Sequence, residues 1–426
     1  MERSDPRYQA YVGILKEELI PAMGCTEPIA LAYAAAKARE VLGVLPESVQ
    51  LQVSGSIIKN VKSVIVPNTG HLKGMEAAAA AGIIAGSAEK ELEVIAEVST
   101  DKQAAIRDYL QTVPISIEHI EQGHVFDIIV TERCGDAWAK VRIADFHTNI
   151  CLIEKDGKVL YEKPLADEAV QESSRADRSL LNMKDIWEFA ETADLRDVAD
   201  LLERQIRYNN AIAEEGLLGD YGANIGRVLL STYGNDVSNR AKAKAAAGSD
   251  ARMNGCELPV IINSGSGNQG ITCSVPLIEY AKELHSGKEK LYRALIISNL
   301  VAIHEKTGIG TLSAYCGAVS AGAGAGAGIV YLCGDGYQAA IHTVVNALAI
   351  VSGIVCDGAK ASCAAKIASS VDAALLGYNM YKCNQEFKGG DGIVMKDIET
   401  TIKGIGRLGK DGMRQTNEEI IRLMMS

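Results

Sequence analysis

Four glycines alternate with alanines from Ala321 to Gly328 (AGAGAGAG), inside an uncharged stretch that runs from Ala318 to Cys333. Such alternation would suit a silk-like strand or a flexible linker. Here Tyr315, Val319, Ile329, Val330 and Leu332 flank it, which predicts a closely packed helix or turn. Gly costs about 1 kcal/mol per helical site relative to Ala, so four of them imply that something bulky or another backbone approaches there. Composition agrees: aromatics are 5% of the chain against 41 glycines, so the core must be built from aliphatic and very small side chains. Ala339 to Val355 is also apolar, but both stretches fall short of the roughly 20 residues a membrane span needs. The first is saturated with Gly and the second holds His342 and Asn346, so both read as buried core helices.

At about 150 residues per domain, the 426 residues predict two to three domains, and 47% hydrophobic with 23% charged residues marks a folded protein. A net charge of −11 repels phosphate backbones and anionic lipid, so neither nucleic acid nor membrane is expected as a partner. Ten cysteines are too sparse for a disulfide scaffold, and the opening MERSDP carries no apolar signal core. A reducing cytoplasm is the expected location. Acidic charge and Gly-rich helices are compatible with a homodimer.

Residues 1–45 read as two helices, separated by Pro21 and the MGCTEP segment, with Thr26, Glu27 and Pro28 starting the second. Two-residue alternation then predicts strands around Val49 to Val53 and Val113 to Ile117, with further candidates at Ile57 to Val66, Val125 to Glu132 and Lys140 to Phe146. Asp156-Gly157 reads as a hairpin turn between Ile150 to Glu154 and Lys158 to Glu162, and Met75 to Ala85 as a helix. The charged segment Asp167 to Arg178 suggests a linker. Beyond Asp185 nearly everything reads as helix, including Asp194 to Ala213, Ala223 to Tyr233, Pro276 to His285 and Leu291 to His304. The expected fold is α+β: an N-terminal helical segment (1–45), an α+β sheet domain (46–166) and a mostly helical domain with Gly/Ala-rich buried helices (167–426).

Three constellations carry possible chemistry. Cys25 lies immediately before a helix start, where free amides and the helix dipole would lower a thiol pKa and make it a base or nucleophile; it also reads as a small buried hydrophobe. The run Asn263 to Gly270 (NSGSGNQG) follows an apolar segment and offers amides and the side chains of Ser264, Ser266, Asn268 and Gln269 to a carboxylate or phosphate. It lacks the Gly-Lys-Ser/Thr ending of a phosphate loop and could be a plain turn. Cys316, Cys356 and Cys363 suit thiolate ligation of zinc or an iron-sulfur cluster, although Cys151, Cys273 and Cys333 also lie in apolar runs and spacing cannot separate ligand from bystander. His147 and the His304-Glu305-Lys306 run are further polar candidates, each also readable as solvated or as a satisfied core residue.

Taken together, MGCTEP, SGSGNQGI, HEKTGIG, YCGA before the Gly/Ala run, and GxxCDGAKxSCAxK resemble the L-cysteine desulfidase family, relatives of the iron-sulfur L-serine dehydratases, over Pro21 to about Lys366. The resemblance implies an oxygen-sensitive four-iron, four-sulfur (4Fe-4S) cluster held by three cysteines, mapping to Cys316, Cys356 and Cys363, with Cys25 as base. It implies that an amino-acid substrate, L-cysteine, loses sulfide to give pyruvate and ammonia. Ser264, Ser266, Asn268 and Gln269, with His147 and Lys306, form the candidate substrate-binding set. In the serine dehydratases the last two cluster cysteines stand further apart and the Gly-rich loop is of a TNGAAG type, which favours cysteine over serine here. Two rivals are a pyridoxal-phosphate lyase, suggested by the likeness of SGxGNQG to that cofactor's loops, and a non-catalytic thiol or iron-sulfur sensor or storage protein.

Overall fold

In the computed structural model, which describes residues 1–121, 124–165, 175–310 and 313–425, the chain folds as α+β, with a sheet in its N-terminal part and a largely helical remainder. The N-terminal part comprises α1 (Pro6–Glu18), β1 (Pro21–Met23), α2 (Thr26–Leu42), β2 (Ser48–Ser54), α3 (Gly55–Val61), α4 (Gly74–Ala85), α5 (Thr100–Thr112), β3 (Ile115–Ile120), β4 (Asp127–Cys134), β5 (Ala137–Ala144), β6 (Ile150–Lys155) and β7 (Lys158–Glu162). Six strands form one sheet in the order β3-β2-β4-β5-β6-β7, parallel only between β2 and β3. The Asp156-Gly157 turn joins β6 to β7 with both residues at positive φ, as a tight hairpin requires. One face is covered by α2, α4 and α5, and Tyr33, Leu51, Val53, Ile106, Ile128, Val130 and Val141 fill the space between.

The helical part comprises α6 (Met183–Thr192), α7 (Ala199–Leu218), α8 (Ile225–Tyr233), α9 (Val237–Met253), β8 (Pro259–Ile261), α10 (Gly267–Glu283), α11 (Lys288–Ile309), α12 (Gly317–Cys333), α13 (Tyr337–Val351), α14 (Ser362–Lys382), α15 (Ile398–Arg407) and α16 (Arg414–Met425). The Gly/Ala run is the central helix α12. A Cβ on Gly322 would lie 2.7 Å from the Ser370 carbonyl of α14, one on Gly326 2.8 Å from Ala374, one on Gly328 2.8 Å from the Ala294 carbonyl of α11, and one on Gly324 would strike the Ser298 carbonyl. The glycines therefore set the approach distance of the surrounding helices. Among the described residues no helix is long and apolar enough to cross a membrane.

The first 45 residues serve both cores: Tyr8, Tyr11 and Leu15 of α1 pack with Phe189 in the helical core, whereas α2 lies in the sheet core. Of the segment 167–178, residues 167–174 lie outside the described residues.

Two sequence expectations are corrected. Ile57 to Val66 is not a strand, because α3 occupies 55–61 with every residue buried, and a helix buried all round shows no amphipathic period. The helix expected from Pro276 begins at Gly267, with Pro276 in its interior. That proline marks one missing backbone bond rather than a helix start. Helices α5 and α9 were not singled out by the pattern.

Candidate active site at the meeting of the two cores

Strand β1, separated from α2 by two residues, pairs antiparallel with β8, Pro21 opposite Ile261 and Ala22 opposite Val260, and the Ile262 amide donates to the Ile20 carbonyl at 3.0 Å. This two-stranded clasp sets the chain entering Cys25 beside the chain entering the Gly-rich loop. Cys25 is the N-cap of α2 in extended conformation, buried, with its thiol donating to Glu27 Oε2 at 3.3 Å. Asn60 Nδ2 of α3 donates to the other Glu27 oxygen at 3.1 Å. His147, in the β5–β6 connection, packs edge-on against Phe126 and senses the Glu27 charge; burial lowers its pKa, and its Nε2 is buried without a partner.

The loop is shorter than the sequence suggested. Asn263 and Ser266 exchange backbone bonds of 3.1 and 3.0 Å around Ser264 and Gly265, both at positive φ, and Ser266 caps α10. Gly267 to Gly270 already belong to the first helical turn. The Ser264 hydroxyl donates to Asn263 Oδ1 at 2.9 Å, so Ser264 and Ser266 are engaged in shaping the loop itself. Gln269 reaches across to α12: a Cβ on Gly317 would lie 2.5 Å from its amide carbon, and its buried Oε1 has no partner. Asn268 Oδ1 accepts from Arg252 Nη1 of α9 at 3.3 Å.

Cys316 and Cys356 are 40 residues apart in the chain and are brought side by side by a backbone bridge. Tyr315 pairs with Val355, the Cys316 amide donates to Ile354 O at 3.1 Å, and the Cys356 amide donates to Ala314 O at 2.6 Å. Cys363, in the first turn of α14, packs with Cys25, Val64 and Met253. None of the three is in a disulfide. Burial, reinforced by Cys356, pushes the Cys316 thiol up to about 12, and burial also raises Cys363. Four lysines surround the thiols. Lys360 and Lys366 share Asp357. Lys59 of α3, 1% exposed, donates to Asn417 Oδ1 at 2.7 Å and Ser313 O at 3.3 Å, and burial lowers its pKa. Lys306 of α11 is lowered to about 8 by burial, partly offset by Cys356 and Cys316.

The fold thus gathers Cys25, His147, Asn268, Gln269, Lys306, Cys316, Cys356 and Cys363 about one junction. The thiol of Cys25 departs from expectation: burial first, and then Glu27, raise its pKa well above normal, against the smaller opposing pull of Arg252. Desolvation outweighs the helix terminus here. The sequence reading gave no role to Glu27, Lys59, Asn60, Arg252, Lys360 or Lys366. Lys59 had a usable signal in being the first charged residue of an otherwise apolar run, SIIKNV. Among the described residues no three His, Cys, Asp or Glu side chains cluster tightly enough to hold a metal ion. A single ion with 2.3 Å bonds to sulfur would need thiolates about 3.8 Å apart, whereas a multi-iron cluster holds its thiolates across its own width, so three convergent thiols amid lysines suit the latter.

Residues 89–422 match the family model described as serine dehydratase alpha chain. The chain is 61% identical over 426 residues to a UPF0597 protein of Desulfitobacterium hafniense (strain Y51), covering 100% of this chain and 99% of that one. It is 52% identical over 419 residues to a UPF0597 protein of Lachnoclostridium phytofermentans (98% and 100% covered) and 46% identical over 430 residues to one of Treponema denticola (100% of each). With the match spanning most of its length, the chain belongs to the serine dehydratase alpha chain family.

Proposed function

We propose that the protein is an iron-sulfur lyase that eliminates the β-substituent of an L-amino acid, with L-cysteine as substrate and pyruvate, ammonia and hydrogen sulfide as products. The observation that carries this reading is the convergence of a fourth, separate cysteine, Cys25, on the junction where Cys316, Cys356 and Cys363 meet. The three latter thiols would hold a 4Fe-4S cluster, the surrounding ammonium groups of Lys59, Lys306 and Lys366 offsetting thiolate charge. When bound, such a cluster supplies an open iron as Lewis acid toward the leaving group.

The protein's own groups do the rest. Cys25 Sγ passes its proton along the 3.3 Å hydrogen bond to Glu27 Oε2, and the thiolate so formed takes the α-proton. The high intrinsic pKa of a buried thiol makes it a strong base toward a weakly acidic carbon, once its proton has a place to go. Asn60 holds the other Glu27 oxygen, and His147 stands near the same carboxylate. The amides of Asn268 and Gln269 face the substrate, and burial of Cys25, Gln269 and Cys316 shields those groups from solvent.

Anaerobic reconstitution followed by iron, sulfide and pyruvate assays tests this. Wild type is expected to carry an oxygen-bleached brown absorbance and to release sulfide from L-cysteine faster than it releases pyruvate from L-serine. Cys356→Ala should lose its iron while Cys134→Ala keeps it. Cys25→Ser should keep full iron and lose about 10²-fold or more in kcat, because an alcohol does not ionise in this range. Iron loss in Cys25→Ser would make that residue a ligand, and a sharp cofactor band without iron would replace the cluster by pyridoxal phosphate.

A further inference from the structure

Arg252, in the last turn of α9, is a buried cation that forms no ion pair among the described residues. It is 6% exposed, and among the described residues its Nε has no partner and its side chain makes one hydrogen bond, the 3.3 Å contact from Nη1 to the neutral Asn268 amide. A guanidinium held out of water without a carboxylate is costly, and the neighbouring sequence makes room for it. A Cβ on Gly267 would collide with its Nε and stand 2.7 Å from Val260 Cγ2, so only glycine allows the guanidinium to lie against the start of α10. Of the junction's lysines, Lys360 and Lys366 share Asp357, Lys59 donates to Asn417 and Ser313, and Lys306 lies beside Cys316 and Cys356. Glu27, the carboxylate near Cys25, is engaged by Cys25, Thr26 and Asn60.

The surroundings indicate what completes it. Met253, the next residue, packs directly with Cys25 and Cys363. Asn268 presents its Oδ1 to Arg252, which leaves its Nδ2 as a donor, and the adjacent Gln269 Oε1 is buried and unpartnered. A planar guanidinium fork beside a free amide donor matches a carboxylate, while an acceptor such as Gln269 Oε1 matches an ammonium group. We propose that Arg252 anchors the α-carboxylate of an amino-acid ligand next to Cys25, with Asn268 as second donor and Gln269 as acceptor for the α-ammonium. This deepens the lyase reading above and rests on it for the reaction, but not for the binding chemistry.

The test uses anaerobically reconstituted protein and calorimetric titration with L-alanine, which has no leaving group, and with L-alaninamide, which lacks the carboxylate. Wild type should bind L-alanine at least about tenfold more tightly than the amide, in line with the strength of charge-assisted paired bonds. Arg252→Lys and Arg252→Gln should each weaken L-alanine by about tenfold or more, leave L-alaninamide unchanged, and raise KM for L-cysteine in proportion, at wild-type iron content. Equal binding of the two ligands by wild type overturns the anchor, and does so even if the variants do not fold. So does an unchanged L-alanine affinity in folded variants. Turnover of L-cysteine with a wild-type KM in Arg252→Lys removes the anchor and leaves the lyase. Carboxylate-dependent, Arg252-dependent binding without turnover of either L-cysteine or L-serine supports the anchor and removes the lyase.

Discussion

Glu132, in β4, is fully buried, and neither of its carboxylate oxygens finds a partner. Burial pushes its carboxyl up to about 9, with Arg39 pulling only part of the way back. The folded protein therefore keeps a proton that the unfolded chain gives up above about pH 4.3. Stability from this group is complete below that value and is lost as the pH rises toward 9. Glu132→Gln keeps the shape and removes the titration. Urea unfolding at pH 5, 7 and 9 should show the variant close to wild type at pH 5 and gaining on it by up to about 1.4 kcal/mol per pH unit as the pH rises toward 9. A variant whose stability falls with pH as steeply as wild type would show that another group carries the slope. None of this is visible in TERC read as a strand end. The same blindness explains Cys25, whose place at a helix start was legible in MGCTEP while the direction of its pKa was not, because desolvation depends on what the fold lays over a residue.

Helix α12 shows what alternating glycine achieves at the scale of an element. It spends helix propensity at four positions to admit the backbones of α11 and α14 and the Leu277 and Thr343 side chains of α10 and α13, so that Ala318 to Val330 is buried throughout. Gly324→Ala would improve propensity by about 1 kcal/mol and yet place a methyl against the Ser298 carbonyl. Backbone on both sides cannot yield, and overpacking of this kind costs about 1–3 kcal/mol. Thermal denaturation should find Gly324→Ala less stable than wild type and Gly353→Ala, where nothing lies within 4 Å, unchanged or slightly stabilised. A gain in stability at Gly324 would mean that the helices separate freely. The close packing of this helix was legible because glycine has few other uses in an apolar run. Helix α3 was not, since Ile57, Ile58, Val61, Val64 and Val66 satisfy a buried strand and a buried helix equally well.

For the molecule as a whole, the candidate site is closed by the chain's two halves and by helix α16. The sequence separates Cys25 from Cys363 by 338 residues, and only the β1–β8 clasp, the 315–355 bridge and the seating of α3 bring them together; motif order hinted at a common site, and spacing held no measure of it. Helix α16 holds α3 in place through Ile421, packed where Gly55 has no side chain, and through Asn417, whose Oδ1 receives the buried Lys59 ammonium at 2.7 Å. Asn417→Leu leaves that cation with only the 3.3 Å bond to Ser313 O and should cost about 1.5–3 kcal/mol, as expected for a hydrogen bond to a charged group. Lys59→Met alone removes the cation and should cost less. The double variant replaces a buried polar pair by apolar side chains and should recover most of the loss in Asn417→Leu. Retention of the proposed cluster separates structure from function here, because Lys59 also senses the charges of Cys316 and Cys356. The double variant should be stable yet, with the proposed cluster reconstituted, lose its iron to a chelator faster than wild type, because the ammonium beside Cys316 and Cys356 is gone. Additive stability losses in the double variant would show that Lys59 and Asn417 do not act as a pair, and unaltered iron retention would limit Lys59 to holding α16 on α3.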